Sequence, residues 1–220
     1  MANVVRILLL GKTGVGKSSF INYFLGKDVA AAGAGRPCTQ ELTKYVLNEW
    51  PDTSIELYDS KGLEVKDADN WTQQIIKELE EKSRLDFTER YHTIFYCISA
   101  QKKIESYEEK TLKELQKAAD QPIHVILTHC DNMADDKLEE RERGLKEKIS
   151  KTLCIYRITS IDKTKRGGTT IKKSGREEVV DGVFNLLWQD VISIMADKVA
   201  EDVVSQVEYA VCQIISYFAN

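Results

Sequence analysis

The stretch that decides the fold is residues 11–18, which read Gly-Lys-Thr-Gly-Val-Gly-Lys-Ser. An apolar run at residues 4–10 precedes it, and residues 18–25 follow it with apolar side chains at helical spacing. This order of strand, glycine-rich loop and helix meets the full phosphate-loop pattern, G-x-x-x-x-G-K-S/T. The alternative is a chance match in an unrelated glycine loop, which the flanking strand and helix patterns disfavour.

Each residue type in this loop suits the binding of an anion. Glycine admits backbone conformations closed to residues with a Cβ, so successive N–H groups can line a concave nest at the positive end of the following helix. Lys17 would place its charge on the β- and γ-phosphates of a nucleotide, and the Ser18 hydroxyl could ligate Mg²⁺. The residues expected to contact the nucleotide here are Lys12, Thr13, Gly14, Val15, Gly16, Lys17, Ser18 and Ser19.

Composition limits the protein to a few classes. The chain has 220 residues, of which 42% are hydrophobic, and this suits one domain with a sizeable core and room for an appendage. The formal net charge of −4 gives no general reason to expect a nucleic-acid partner. The five cysteines form no C-x-x-C pair, so we expect mainly buried free thiols in a reducing cytoplasm. No apolar run reaches the roughly 18 residues of a membrane span.

Strand and helix patterns alternate along the chain, which predicts an α/β fold with a mostly parallel, doubly wound sheet. Between two β patterns stands a turn signal, Trp50-Pro51-Asp52, which predicts an antiparallel hairpin. We expect strands near residues 4–10, 42–49, 54–58, 91–99, 123–128 and 153–159. We expect helices near residues 17–25, 71–84 (capped by Asp69 or Asn70), 105–119, 135–150 and, as one or two helices, 177–218, with a basic loop at 161–176.

Two further sites are expected near the phosphates. Asp59 and Gly62 form a D-x-x-G motif directly after the third strand, where the carboxylate can reach Mg²⁺ and the glycine N–H can meet the γ-phosphate. A plain surface turn is the alternative interpretation. Thr39, in the loop after the first helix, can close over Mg²⁺ and the γ-phosphate. Thr43 competes for that role, but it lies inside the predicted second strand.

The base would be recognised farther along the chain. Thr128-His129-Cys130-Asp131 follows the fifth strand, and a carboxylate there can accept hydrogen bonds from both N1–H and N2–H₂ of guanine. Because adenine offers no such pair of donors, we expect the choice of GTP over ATP to rest on Asp131. Ser160, after the last strand, can meet guanine O6 through a backbone N–H, although this signal is weak when taken alone.

In their order and spacing these motifs resemble the G domain of translation-factor-class GTPases. Within that class the chain is most similar to the group of Era-type GTPases, septins, immunity-associated GTPases and chloroplast import receptors, and Cys38-Thr39 suits its bacterial, 50S-ribosome-binding-type members. The resemblance implies a three-layer P-loop G domain at residues 1–195, with a six-stranded sheet, one antiparallel strand and helices on both faces. It also implies GTP and GDP as ligands, Mg²⁺ as cofactor, and hydrolysis of GTP.

The same resemblance assigns roles to individual residues. Phosphate and catalytic contacts fall to Lys17, Thr39 and Gly62. Magnesium contacts fall to Ser18, Thr39 and Asp59. Recognition of the base falls to Thr128, His129, Asp131 and Ser160.

Three residues depart from the family pattern. His129 stands where the usual motif has a lysine whose stem packs on the purine, and an imidazole could stack there at some cost in affinity. Leu63 stands where Ras-type proteins have a glutamine that orients the attacking water, so intrinsic hydrolysis should be slow or depend on another group. Gly14 stands where some relatives carry an asparagine that holds potassium, so we expect no potassium dependence.

Many relatives in this group associate across their nucleotide sites, so the expected partners include a second copy, and binding could then matter more than hydrolysis. Arg36, Lys12 and Lys61 could reach a neighbour's phosphates, although solvated loop residues are the more ordinary interpretation. The basic loop at 161–176 could touch anionic lipid or RNA, but we favour a mobile, solvated loop. We therefore expect a cytoplasmic protein, with peripheral membrane contact as the alternative.

An apolar stripe marks the end of the chain and extends past residue 195, where the G domain should finish. It predicts a helical extension at residues 196–220. This stripe could cover the flank of its own domain, a second copy, a partner, or a downstream region of a longer protein. Its apolar side chains, three and four residues apart, are Val204, Val207, Val211, Ile214 and Phe218.

Overall fold

The computed structural model describes residues 3–30, 42–47, 53–60, 62–85, 89–119, 123–164, 168, 170–184, 209 and 211–217. A six-stranded sheet forms the centre, with the strand order β2-β3-β1-β4-β5-β6. All neighbouring strands in it are parallel except the antiparallel β2 and β3. The strands are β1 (Asn3–Gly11), β2 (Thr43–Leu47), β3 (Thr53–Asp59), β4 (Thr93–Ser99), β5 (Ile123–Thr128) and β6 (Cys154–Arg157).

Helices cover both faces of this sheet. Successive side chains of a strand point to opposite faces, so in β1 Ile7 and Leu9 join one core cluster while Leu8 and Leu10 join the other. The first cluster packs against α1 (Lys17–Leu25) and the helix at residues 176–184, called α5. The second packs against α2 (Ala68–Ser83), α3 (Ser106–Ala118) and α4 (Asp135–Lys148). The predicted three-layer α/β fold, with its one antiparallel strand, is confirmed.

The start of α2 differs from the prediction. A 3-10 turn at Val65–Asp67 winds directly into the helix, so that α2 begins at Ala68 with Asp67 in the capping position and no side-chain capping bond. Asp69 and Asn70, predicted as caps, therefore lie within the first turn. Asp69 instead accepts a hydrogen bond from Lys110 of α3 at 2.8 Å, and so it links two helices on the same face.

The basic stretch at residues 161–176 was expected to be a loop, and this expectation is wrong for the residues that the structure describes there. They include a two-stranded antiparallel hairpin of β7 (Lys163–Thr164) and β8 (Thr170–Ile171). Backbone hydrogen bonds in both directions between Thr159 and Ser174, at 3.1 and 3.0 Å, fasten the base of the hairpin to the end of β6. Turn composition predicted irregular structure here, and the pairing with Thr159 could not be seen in it.

The described part of the C-terminal stripe lies on the flank of its own domain. Residues 211–217 are helical, Ile214 is fully buried in the core cluster that contains α1, and Val211 packs partly against it. Val204, Val207 and Phe218 lie outside the described residues, as does the boundary at residue 195, which stays a prediction. Among the described helices, none combines the length and apolar character needed to cross a membrane.

The described cysteines are all free thiols, as predicted, but they are not all buried. Cys97 and Cys130 are buried, Cys154 is partly buried and Cys212 is exposed, while Cys38 lies outside the described residues.

The core contains a histidine whose ring nitrogens have no described partner. His124 in β5 is 1% exposed, its ring stacks on Tyr156 and meets the edge of Phe95, and neither ring nitrogen finds a hydrogen-bond partner among the described residues. Burial lowers the pKa of this imidazole to about 4. An unfolded histidine titrates near 6.5, so between about pH 4 and 6.5 the imidazole is protonated in the unfolded chain but neutral in the folded chain. Stability should therefore be complete above about pH 6.5 and fall as the pH drops toward 4.

Replacing His124 with Phe should remove this acid sensitivity, since an aromatic ring that cannot bind a proton would fill the same space. The difference corresponds to about 3 kcal/mol of unfolding free energy between pH 7.5 and 4. Urea denaturation of both proteins across that range measures it. Tyr156→Phe keeps the imidazole and should keep the wild-type pH dependence. A His124→Phe protein that loses stability as steeply as wild type would contradict the assignment.

Candidate functional site

The predicted motifs meet at one edge of the sheet, because parallel strands end together there. Strand pairing places Asp59 beside Leu9, two residues before the end of β1. The next pairings place Gly11 beside Cys97, and Ser99 beside Thr128. The phosphate loop, the D-x-x-G motif and the expected base-recognition loop therefore follow neighbouring strands.

The phosphate loop has the backbone that an anion nest requires. Gly14 and Gly16 have φ angles of 77° and 95°, in the left-handed region that glycine tolerates, and α1 begins directly afterwards at Lys17. In α1, all of whose residues are described, no side chain caps the N-terminus and the first turn carries no acidic residue. The positive end of the helix dipole is thus free of any anionic side chain from its own first turn.

Lys17 is a largely buried cation at the centre of this loop. Its side chain is 8% exposed, and Nζ donates to the carbonyl oxygens of Gly11 at 3.1 Å and Lys12 at 3.4 Å. Burial lowers its pKa, and the nearby Asp59 carboxylate opposes that shift. Neutral carbonyls compensate a buried ammonium only in part, so the loop favours a bound anion.

Asp59 fits a role as a ligand to a hard cation. Burial raises the pKa of this carboxyl to about 6, against the opposing charge of Lys17, and Oδ1 is buried with no hydrogen-bond partner among the described residues. Ser60 Oγ is also buried with no hydrogen-bond partner among the described residues. Ser18 adds a hydroxyl from the first turn of α1, and Mg²⁺ prefers such oxygen donors together with water and phosphate. Thr39, the third predicted ligand, lies outside the described residues, while its competitor Thr43 lies in β2 as predicted.

The segment after Asp59 is fastened to the phosphate loop. The Thr13 N–H donates to Leu63 O at 3.2 Å, and the Leu63 N–H donates to Gly11 O at 3.0 Å. A Cβ on Gly62 would lie 2.7 Å from both Cα and N of Thr13, so only glycine allows this approach. Leu63 is fully buried in the core cluster that contains α2 and α3. Its side chain therefore points into the core and cannot orient a water at the phosphates.

Lys12 directs its charge away from the phosphate nest. Its Nζ forms an ion pair with Glu105, the residue that caps α3, and stands 5.3 Å from the ring centroid of Tyr107. The bond to Glu105 raises the pKa of Lys12. The backbone of Lys12 remains part of the loop, but its ammonium is already paired. Arg36 and Lys61, the other two candidates for reaching a neighbour's phosphates, lie outside the described residues.

The expected base-recognition loop contacts the phosphate loop directly. Thr128 Oγ1 donates to the carbonyl of Val15 at 2.5 Å and lies 3.2 Å from His129 Nδ1. His129 has a φ of 58°, unusual for a residue with a side chain. A Cβ on Gly16 would lie 3.0 Å from its Cε1, so the imidazole rests against the glycine backbone. The expected stacking of His129 on a purine stays a prediction.

Asp131, the residue expected to select guanine, has a partner that the sequence did not reveal. Its side chain is 10% exposed, and Lys163 of β7 approaches it, with Nζ 3.2 Å from Asp131 Oδ2 and 2.9 Å from Asn132 Oδ1. The sequence places Lys163 only in a basic loop, because its contact with Asp131 depends on the hairpin fold. Ile161, next to the predicted Ser160, is also unanticipated: it is apolar and 60% exposed.

Comparisons with known proteins agree with this geometry. A family model for 50S ribosome-binding GTPases matches residues 6–129, more than half of the chain. The chain is 23% identical over 204 residues to GTPase Der of Persephonella marina, a match that covers 93% of this chain and 44% of that protein. The chain thus spans less than half the length of the Der-type relatives that it matches.

Solved structures share the fold at low sequence identity. One is Era in complex with MgGDPNP and nucleotides 1506–1542 of 16S ribosomal RNA, with a TM-score of 0.61 and 18% identity, covering 83% of this chain and 56% of that chain. Another concerns the chloroplast translocon components atToc33 and psToc159, with a TM-score of 0.64 and 16% identity, covering 84% of each chain. These likenesses support the fold.

The family model covers the phosphate loop, the D-x-x-G motif and the start of the base-recognition loop, all of which the structure brings to one edge of the sheet. The chain therefore belongs to the family of 50S ribosome-binding GTPases.

Proposed function

We propose that this chain binds GTP and GDP together with Mg²⁺, hydrolyses GTP slowly, and acts as a molecular switch in the cytoplasm. The observation that carries the proposal is the buried Lys17, whose partners among the described residues are carbonyl oxygens, beside an Asp59 oxygen without a described partner. A Mg²⁺–phosphate group would supply what both side chains lack. Its phosphate oxygens would accept hydrogen bonds from Lys17, and an Asp59 oxygen would coordinate the cation, directly or through water.

The chain's own residues hold the triphosphate and stabilise the charge that develops during hydrolysis. Lys17 and the N–H groups at the start of α1 donate to the phosphate oxygens, and the Gly62 N–H is available for the γ-phosphate. Mg²⁺, when bound, neutralises charge on the β- and γ-phosphates, and Ser18 and Asp59 would hold it. Thr39 would add its hydroxyl from the loop after α1. Asp131 would select guanine through its two oxygens, with Ser160 meeting O6.

Slow turnover follows from the position of Leu63. It is fully buried and its backbone is bonded to the phosphate loop, so this position supplies no polar side chain to orient the attacking water. Unassisted hydrolysis should then rest on Lys17, Mg²⁺ and backbone donors alone. We expect a rate below the roughly 4 × 10⁻⁴ per second of Ras without its activating protein, since Ras keeps the glutamine that Leu63 replaces.

A second candidate function is a nucleotide-gated assembly module. The motivating observation is the similarity to the structure of the chloroplast translocon components atToc33 and psToc159, for which dimerisation is important for the GTPase activity. In this chain, a neighbouring copy could supply the polar group that Leu63 does not. Lys12 would first have to leave Glu105 to take part, whereas Arg36 stays a candidate from sequence.

Replacing Lys17 with Ala should lower the affinity for GDP by about 10- to 100-fold, since the charge-assisted contact of Lys17 with the β-phosphate is lost. Titration calorimetry against GDP and ADP measures this loss and the base preference together. Lys146→Ala removes an exposed lysine from the last turn of α4 and should leave the affinity unchanged. Retained affinity in the Lys17→Ala protein would count against the phosphate-loop role. Wild-type preference for ADP would count against guanine recognition by Asp131.

Replacing Gly62 with Ala should push the segment after Asp59 off the phosphate loop, because the added Cβ meets the Thr13 backbone. We expect unfolding free energy to fall by about 1–3 kcal/mol, and binding of a non-hydrolysable GTP analogue to weaken more than binding of GDP. Gly144→Ala in α4 is the matched control, since nothing lies near its Cβ position and alanine favours a helix by about 1 kcal/mol. Equal weakening for both nucleotides would contradict a γ-phosphate role for Gly62.

Turnover per molecule should not change with protein concentration if the isolated switch is the correct description. Phosphate release measured over a hundredfold range of protein concentration provides the test, with Lys17→Ala as the inactive control. A rate that rises with concentration would instead support the assembly module, in which one copy completes the site of another.

A further inference from the structure

The ion pair between Lys163 and Asp131 joins the β7–β8 hairpin to the expected base-recognition loop. Lys163 Nζ lies 3.2 Å from Asp131 Oδ2 and 2.9 Å from Asn132 Oδ1, so the ammonium bridges two neighbouring side chains of that loop. The Lys163 side chain is 52% exposed, whereas that of Asp131 is 10% exposed. The carboxylate is thus mostly covered, and a flexible cation approaches it from the solvent side.

The hairpin places this lysine by several independent bonds. Ser174 and Thr159 exchange backbone hydrogen bonds at its base, and the Lys173 N–H donates to Asp162 Oδ1 at 2.7 Å. The Thr164 and Thr170 hydroxyls are 3.1 Å apart across the two strands. A side chain projecting from such a braced hairpin returns to the same place when it is released, which suits a contact that opens and closes.

Guanine and Lys163 need the same atoms. If Asp131 accepts from guanine N1–H and N2–H₂, as the proposed function requires, both carboxylate oxygens are used, and Oδ2 already accepts from Lys163. With only a tenth of the Asp131 side chain exposed, there is little room for both donors at that oxygen. We propose that Lys163 is a specificity-setting residue that competes with guanine for Asp131, holding its carboxylate in the nucleotide-free protein and yielding Oδ2 when the base binds.

This competition, which rests on the proposed function, has two consequences. Guanine must break an ion pair before it gains its own hydrogen bonds, so Lys163 lowers the affinity for guanine nucleotides and hastens their release. Exposed ion pairs contribute little, so removing this one should tighten GDP binding by about two- to fivefold. Hypoxanthine lacks the N2 amino group and needs only one carboxylate oxygen, so Lys163 can stay on Oδ2 when an inosine nucleotide binds.

The experiment compares Lys163→Met with wild type, since methionine keeps much of the aliphatic stem and removes the charge. We expect the Kd for GDP to fall by about two- to fivefold, and GDP to dissociate more slowly from the variant than from wild type. The Kd for IDP should change by less than about 1.5-fold. Lys172→Met removes the same charge from the same hairpin without touching the ion pair, and should leave both Kd values unchanged. Lys163→Gln should act in the same direction as Lys163→Met, and circular dichroism checks that each variant folds.

A double-mutant cycle with Asp131→Asn ties the effect to the carboxylate. In that background the Lys163→Met change should alter GDP affinity by less than about 1.5-fold, because no ion pair is left to remove. Weaker or unchanged GDP binding by Lys163→Met in an otherwise wild-type chain would overturn the competition, and weaker binding would make Lys163 part of the guanine pocket. Failure of the wild-type protein to bind GDP in preference to ADP would instead overturn the proposed function itself.

Discussion

The buried Lys17 is the constraint on which the rest of the site depends. An ammonium that is 8% exposed loses most of its hydration, and the carbonyls of Gly11 and Lys12 replace only part of it. Because the loop must curve to present those carbonyls, it needs glycine at the left-handed positions 14 and 16. Because the remaining deficit is one of negative charge, the same loop favours a bound anion, which is a phosphate under the proposed function.

The sheet provides the rigid frame that this arrangement needs. β1 lies in the centre, between β3 and β4, and its side chains are buried on both faces in separate core clusters. The last residues of β1 are therefore held in a fixed position. Asp59, at the end of β3, is held beside them because β3 pairs with β1. The backbone bonds from Leu63 to the phosphate loop add a second fastening. A bound γ-phosphate can thus act on a segment that has one well-defined resting position, as a switch requires.

Local patterns in the sequence predicted the strand, the glycine-rich loop and the helix around residues 11–18, and the structure contains all three. The phosphate loop depends on glycines and a following helix that are contiguous in the chain, and the α/β alternation fixes which strand ends meet.

The base end was less predictable. The hairpin of β7 and β8 is joined to the sheet by pairing between Thr159 and Ser174, fifteen residues apart, and although Thr159 lies in a predicted strand, Ser174 carries no strand signal. The contact of Lys163 with Asp131 exists only once that hairpin forms, so composition could show a basic stretch but not its target. The start of α2 was also missed, because a 3-10 turn leads directly into the helix at Ala68 and so places Asp69 inside its first turn.

The two ends of the site differ in how deeply their charged side chains are buried, and this difference affects their function. At the phosphate end the charges are buried, so interactions there are strong and costly to lose. At the base end Asp131 faces an exposed lysine, and such pairs are weak and screened by salt. Affinity should therefore come mainly from the phosphates, whereas the base contact tunes selectivity and the rate of release. Under the proposed function, a chain in which Leu63 supplies no polar side chain to the attacking water would change state mainly by exchanging its nucleotide. A weak, competing contact at the base lowers the barrier to that exchange without weakening the phosphate loop.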